Sequence, residues 1–266
     1  MARVPLTSTA YLPHLEQAAA DVVAVLETGV LDAPVPGCAP WRLTDLAHHL
    51  GGIHRWARTA VVEGRPDAKS VEAPTERAAL VAWFREGAEA LLATLRETDP
   101  HAPSWSFGPP PHTASFWFRR QAHETAVHAG DAAASQGATR AYGTELALDG
   151  IDEVVGLFFP RQVRLGRTPP LPTALALEPA EGGRWVLAGD GTGRGRRPTP
   201  SRLTAGRPAS GRARREAPDS VPAVVSGPAD ALLLLLWHRT TLDDPRLAVS
   251  GDRAAADAVL AAALTS

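Results

Sequence analysis

The sequence has few cysteines and lysines, and the shortage of cysteine excludes several kinds of site. Among its 266 residues, Cys38 is the only cysteine and Lys69 the only lysine. A disulfide within the chain and a zinc site built from several thiolates are therefore excluded. Cys38 lies in a Pro- and Gly-rich stretch with no basic residue beside it. This argues against a catalytic thiol, because reactive thiolates usually need electropositive surroundings.

Long apolar runs are also lacking. Even a run as long as Ala231–Trp237, which no other exceeds, is far shorter than the ~20 residues that a membrane-spanning helix needs. The first residues contain no apolar stretch of signal-peptide length. The net charge of −2 gives no reason to expect a polyanionic partner. The sequence therefore predicts a cytoplasmic globular protein without a membrane partner.

Helical periodicity dominates the first part of the chain. Apolar residues recur every three or four positions in segments that end at Pro- and Gly-rich loops. The predicted helices cover about 9–26, 43–62, 75–97, 113–136 and 145–159. Helices of this length joined by loops predict an up-and-down bundle.

The pattern changes after Pro160. Short strand-like runs follow, and two helical patterns lie among them. The strand-like runs are at about 174–177, 185–187, 223–226 and 247–250, and the helical patterns at about 230–238 and 252–264. We predict an α+β protein with a helical bundle in residues 1–165 and a smaller α/β domain in residues 166–266.

One stretch of the second part is strongly basic. Residues 191–215 contain eight arginines and no acidic residue, among Gly, Pro, Ser and Thr. Such a stretch could contact RNA or DNA. No aromatic residues interleave with the arginines, however, and no nucleic-acid-binding module frames them. We interpret it as a solvated insertion, with a hairpin extension as one form, and do not expect a nucleic-acid partner.

The fourth predicted helix contains a candidate pair of metal ligands. Glu124 and His128 are four residues apart, so a helix places them on one face, one turn apart. Asp131 lies on the same face and could hold the free imidazole nitrogen of a ligand. His123 points about a third of a turn away and is a weaker candidate. The Glu-x-x-x-His spacing alone is a weak signal, because surface pairs often have it.

The second predicted helix supplies a companion ligand. His49 adjoins the apolar stripe of this helix and should face the edge of the bundle interior. Asp45, one turn earlier, could orient its imidazole. His48 and His54 lie on other faces and are predicted to be surface or rim groups. Two histidines and one carboxylate leave a position for water or substrate, as in catalytic zinc sites, and they suit iron(II) as well.

These segments carry two extended motifs. Residues 41–57 read Trp-x-x-x-Asp-Leu-Ala-x-His-Leu-Gly-Gly-x-His-Arg-Trp-Ala, and residues 119–132 read Arg-Arg-x-x-His-Glu-x-x-Val-His-x-x-Asp-Ala. With the segments at 108–110, 116–118 and 230–239, they resemble the mycothiol-dependent maleylpyruvate isomerase family of the DinB-like metalloenzyme superfamily. The resemblance covers nearly the whole chain except residues 191–215.

The resemblance implies an N-terminal four-helix bundle, a smaller C-terminal α/β domain and a bound zinc ion. It places the family's metal ligands on His49, Glu124 and His128, the positions that the helical spacing also indicates. It places an arginine that is thought to reach the substrate on Arg239. The family usually has a glycine where this chain has His238, and this departure leaves the local geometry and the substrate open.

The resemblance also implies mycothiol as a co-substrate and a small electrophilic substrate. The predicted chemistry is a zinc-bound thiol with a lowered pKa whose thiolate adds to the substrate. Elimination after bond rotation gives isomerisation, and retention of sulfur gives transfer. Asp131 and Arg239 are predicted catalytic residues. Arg119 and Arg120 are predicted to bind the cofactor or a substrate carboxylate. The alternatives are a thiol-independent zinc hydrolase and a non-catalytic, metal-containing regulatory protein.

Overall fold

A computed structural model describes residues 6–65, 72–188, 193–196 and 221–265, with only the backbone at 193–196. These residues form two compact units, one of Leu6–Tyr142 and one that begins at Gly143. No helix in the described ranges combines the length and apolarity needed to span a membrane.

The first unit is built from four long helices, which confirms the predicted four-helix bundle. They are α1 (Tyr11–Thr28), α2 (Leu43–Glu63), α3 (Arg77–Glu97) and α4 (Ser115–Ser135). Both α1 and α2 pack mainly against α3 and α4. The apolar stripes meet in a core that includes fully buried Leu15, Leu50, Phe84 and Leu91. Burial of each such side chain contributes about 1.5–3 kcal/mol.

Close packing fixes α2 against α3. A Cβ atom at Gly51 would lie 2.2 Å from the Trp83 ring, so only glycine allows this approach. The Arg55 guanidinium stacks 4.0 Å from the centre of the same ring, and it donates to the Trp83 carbonyl at 2.7 Å. This contact holds one side of α2 and leaves its His49 side directed toward α4.

The second unit combines helices with a five-stranded sheet. Its helices are α5 (Thr144–Glu153), α6 (Phe159–Arg164), α7 (Ala229–Leu236) and α8 (Arg253–Leu260), and a π-helical stretch, Val154–Phe158, joins α5 to α6. Its strands are β1 (Leu175–Pro179), β2 (Arg184–Leu187), β3 (Gly193–Arg196), β4 (Ala223–Gly227) and β5 (Ala248–Gly251).

The sheet has the strand order β3-β2-β1-β4-β5. The β1–β4 pair is parallel and the other pairs are antiparallel. Four strands match the predicted runs. The fifth, β3, falls within the arginine-rich stretch 191–215, and the rest of that stretch lies outside the described residues.

The boundary between the units falls earlier than the predicted one between residues 165 and 166. The physical reason is that α5 packs against α7, and the π-helical stretch packs against β2 and β3. In addition, the Trp185 indole donates to the Asp152 carboxylate at 3.2 Å. The change of pattern after Pro160 therefore lies close to the end of the helical segment at Arg164, and the helices from α5 onward belong with the sheet.

Candidate metal centre

One histidine of α2 meets a glutamate and a histidine of α4. The Oε1 atom of Glu124 lies 3.1 Å from Nε2 of His49 and 3.4 Å from Nε2 of His128. The potential ligand atoms of the three residues all lie within 4.8 Å of one another. The neighbouring Leu50 and Ala126 are buried in the core. Their burial sets the rotation of the two helices, so the donors converge on one side of the α2–α4 contact.

Both ligands on α4 have a second partner on the far side. Nδ1 of His128 lies 2.9 Å from Oδ2 of Asp131, as the spacing predicts. Nη2 of Arg120 donates to Oε2 of Glu124 at 2.9 Å. Asp131 is 2% exposed and Arg120 is 3% exposed. A proton held on Nδ1 by Asp131 leaves the Nε2 lone pair of His128 available to a metal ion.

The charges of this cluster are coupled. Burial opposes the ionisation of Glu124, but hydrogen bonds from His128 and His49 and the charge of Arg120 outweigh it and hold the pKa of Glu124 well below its usual range. Burial likewise opposes protonation of His128. Hydrogen bonds with Asp131, Cys38 and Glu124 raise its pKa well above the usual value. The same hydrogen bonds thus favour the charged forms of Glu124 and His128, and metal binding at such a site competes with protons.

Two further residues border the donors. The Sγ atom of Cys38 lies 3.3 Å from Oδ2 of Asp131, so the thiol donates to the carboxylate that holds His128. The Trp41 ring lies 4.8 Å from the His49 ring and 6.2 Å from the His128 ring, measured between centroids. Sequence reasoning gave neither residue a role. The Cys38–Asp131 contact joins positions 93 residues apart, and Trp41 precedes α2, so helical periodicity could not indicate either.

The prediction that His54 is a surface or rim group is wrong. His54 is fully buried, its Nε2 atom lies 2.9 Å from Thr125 Oγ1, and its ring packs 5.4 Å from the Phe84 ring. Burial lowers the pKa of His54 to about 3, so the imidazole is neutral at physiological pH. The helical pattern of α2 misplaced it because the first unit also buries the face that carries His54.

Three other polar residues of the motifs make contacts within the first unit. Asp45 accepts the backbone N–H of Arg42 at 2.8 Å and so caps α2, rather than orienting His49 as predicted. His48 is partly exposed, and its Nε2 atom lies 3.0 Å from the Pro74 carbonyl. His123 is buried against the Tyr11 ring, at 6.0 Å between centroids. None of the three belongs to a group of potential metal ligands among the described residues.

The predicted arginines lie in three settings. Arg119 is half-buried on α4, beside the buried Arg120 that pairs with Glu124. Arg239 belongs to the second unit, directly after α7, and its guanidinium donates to the Trp237 carbonyl at 2.6 Å. The roles of Arg119 and Arg239 toward a substrate stay predictions.

The turn before Arg239 places His238 in a left-handed conformation. The backbone N–H groups of His238 and Arg239 donate to the carbonyls of Leu235 and Leu234 at 3.1 and 2.8 Å. His238 has a φ of 56°, and this pattern is the Schellman motif that ends many helices. Glycine favours this position. The chain therefore keeps a turn suited to the glycine that the family resemblance implies, with a histidine in a left-handed conformation.

The donor set fits a catalytic metal ion. Two imidazoles and one carboxylate are typical of zinc enzymes in which one position stays open to water or substrate, and iron(II) accepts the same ligands. His49, Glu124 and His128 form a compact group, and the two ligands on α4 have buried partners. In metal sites, partners of this kind orient the side chains that bind the ion.

Two family models match the sequence. The mycothiol maleylpyruvate isomerase N-terminal domain matches residues 12–133, and the MDMPI C-terminal domain matches residues 145–258. The matches lie on either side of the boundary between the two compact units. No curated protein matches the sequence significantly.

Two solved structures are similar to this fold. One is the crystal structure of the mycothiol-dependent maleylpyruvate isomerase, with a TM-score of 0.57 and 14% identity. The other is a histidine-to-alanine mutant of that enzyme, with a TM-score of 0.56 and 14% identity. Each alignment covers 93% of this chain and 95% of the other chain. At this identity, the likeness shows the fold.

Proposed function

Because this chain belongs to the mycothiol-dependent maleylpyruvate isomerase family, we propose that it is a zinc-dependent enzyme that activates mycothiol for addition to a small electrophilic substrate. The observation that carries the proposal is the convergence of His49, Glu124 and His128 in the first unit. Their number and chemistry suit an ion that keeps one position for a reacting group.

The proposed zinc ligands are Nε2 of His49, Oε1 of Glu124 and Nε2 of His128. The chemistry that such an ion supplies is a lowered pKa for a bound thiol, which yields a thiolate at neutral pH. Asp131 holds the proton on Nδ1 of His128 and keeps the opposite nitrogen free. The Trp41 ring packs beside both imidazoles.

The proposed reaction begins with a bond between the thiolate sulfur and an activated carbon–carbon double bond of the substrate. The electron pair of that double bond moves to the conjugated carbonyl oxygen. Rotation about the new single bond, followed by loss of the thiolate, restores the double bond in the isomerised form. If solvent protonates the carbon instead, the sulfur stays and a thioether forms. Arg119, on the helix that carries Glu124 and His128, is the proposed partner of a substrate carboxylate. The substrate role of Arg239 stays a prediction.

The first test compares the metal content of the wild-type protein with that of Glu124→Gln by elemental mass spectrometry. We expect about one zinc per chain in the wild type and none in the variant, because the carboxylate supplies one of three protein ligands. Glu27→Gln is the matched control, since Glu27 forms an exposed pair with Arg85 and should leave the zinc content unchanged.

The second test measures maleylpyruvate isomerisation by the zinc-loaded wild type with and without mycothiol. Turnover that requires mycothiol supports the proposal. Turnover of an ester or amide without any thiol would identify a hydrolase instead. A wild-type protein that binds no metal after zinc is supplied would contradict the proposed site itself.

A further inference from the structure

Arg120 is a buried arginine one helical turn before Glu124. Only 3% of it is exposed, and its Nη2 atom lies 2.9 Å from Oε2 of Glu124. Sequence reasoning made it a candidate for binding a cofactor or a substrate carboxylate. Removing a guanidinium from water is unfavourable unless a partner compensates. The pair with Glu124 supplies that compensation inside the first unit.

The two oxygens of Glu124 have different partners. Oε1 lies between Nε2 of His49 and Nε2 of His128, at 3.1 and 3.4 Å, whereas Oε2 accepts from Arg120. We propose that Arg120 is a positioning residue that occupies Oε2 and makes Glu124 a ligand through Oε1 alone. This inference rests on the proposed function, because a glutamate that would hold zinc through one oxygen would leave a position on the ion open to the thiol.

Because Arg120 is charged, the direction of the change in zinc affinity on its replacement tests the inference. A cation repels a dication nearby, so a guanidinium with no orienting role would weaken metal binding. Its removal would then tighten the affinity for zinc. If Arg120 orients Glu124, its removal should weaken the affinity, because loss of a group that orients a ligand typically costs about 10–100-fold.

The experiment measures zinc affinity by competition with a chromophoric chelator. We expect Arg120→Gln to bind zinc about 10–100-fold more weakly than the wild type. Arg120→Lys should fall between the two, because it keeps the charge but lacks the planar fork of the guanidinium. Arg96→Gln is the matched control, since Arg96 forms an exposed pair with Glu16 on the same unit, and it should match the wild type.

Cobalt(II) in place of zinc gives a second readout that does not depend on turnover. In Arg120→Gln, Glu124 can bind through both oxygens, so the visible absorption should weaken as the coordination number rises above four. Zinc binding by Arg120→Gln as tight as in the wild type, or tighter, would overturn the inference. If that variant does not fold, the same affinity in Arg120→Lys and the wild type would overturn it. A wild type that binds no zinc would instead contradict the proposed function.

Discussion

Two charged clusters in this protein have similar ion-pair distances but very different surroundings. On α4, Arg120 pairs with Glu124 at 2.9 Å, and the side chains are 3% and 15% exposed. In the second unit, Arg246 pairs with Asp244 at 2.7 Å and with Asp230 at 2.8 Å, and the three side chains are 43%, 9% and 28% exposed. Pair distance therefore does not separate the candidate metal centre from an ordinary surface cluster.

Burial of the guanidinium separates them, because Arg120 is enclosed and Arg246 is open to solvent. An exposed pair is screened by water and contributes up to about 1 kcal/mol, so its presence needs no functional explanation. A buried pair can be neutral or unfavourable relative to apolar residues of the same shape. A buried pair beside two histidines therefore marks a candidate functional site. The comparison predicts that titratable groups should affect stability according to their burial.

The largest expected effect concerns His54. Its folded pKa of about 3 lies below the ordinary value of 6.5. The unfolded chain therefore takes up the proton first as pH falls. The contribution of neutral His54 to the stability of the fold is therefore fully present above pH 6.5 and is lost as pH falls toward 3. Between pH 7 and pH 5, this histidine should lower the free energy of unfolding by about 2 kcal/mol.

The test measures chemical denaturation of the metal-free protein at both pH values. His54→Leu should remove about 2 kcal/mol of the difference between pH 7 and pH 5. Ala57→Gly is the control, because it replaces a buried, non-titrating residue of α2 and should lower stability equally at both pH values. If His54→Leu kept the pH dependence of the wild type, burial would not determine how much this histidine contributes to stability. The contrast between buried and exposed groups would then be wrong.

A smaller effect is expected at His238, where the cost lies in the backbone rather than in a buried charge. Its φ of 56° is unfavourable for a residue with a side chain. His238→Gly should raise the free energy of unfolding by about 1 kcal/mol, because glycine adopts this conformation without the steric penalty. Thermal unfolding of the variant checks this. His101→Gly, at an exposed position in a loop, is the control and should not stabilise the protein.

The helices and three donors were predictable because their signals are local. Apolar residues repeat with the helical period, and Glu124 and His128 are one turn apart on α4. His49 could be chosen because it adjoins the buried side of α2. The sequence thus indicated which side chains share a face, and the structure brings those faces together.

The rest depended on packing between distant segments. The contact of Cys38 with Asp131 has no local signal. Arg120 has the right spacing for Glu124, but the sequence does not distinguish a buried pair from one in water. His54 was misplaced for the same reason, since its burial depends on Phe84 of α3. The domain boundary was also predicted too late, because helix α5 packs with elements that follow it in the chain.

The smallest expected effect concerns Asp244 in the surface cluster. Hydrogen bonds from Arg246 are the main reason that the pKa of Asp244 is lowered to about 2 from 3.8. The stabilisation is therefore present above pH 3.8 and is lost as pH falls toward 2. Because Arg246 is 43% exposed, Asp244→Asn should lower the free energy of unfolding at pH 7 by less than about 1 kcal/mol.

Salt provides the sharper measurement at Asp244. At about 1 M salt the screening length falls to about 3 Å, so the difference between Asp244→Asn and the wild type should shrink. Asp243→Asn is the control, because Asp243 is 82% exposed in its pair with Arg253. If Asp244→Asn lowered the free energy of unfolding by several kcal/mol even in high salt, an exposed pair would contribute as much as a buried one. Burial would then no longer distinguish the surface cluster from the candidate metal centre.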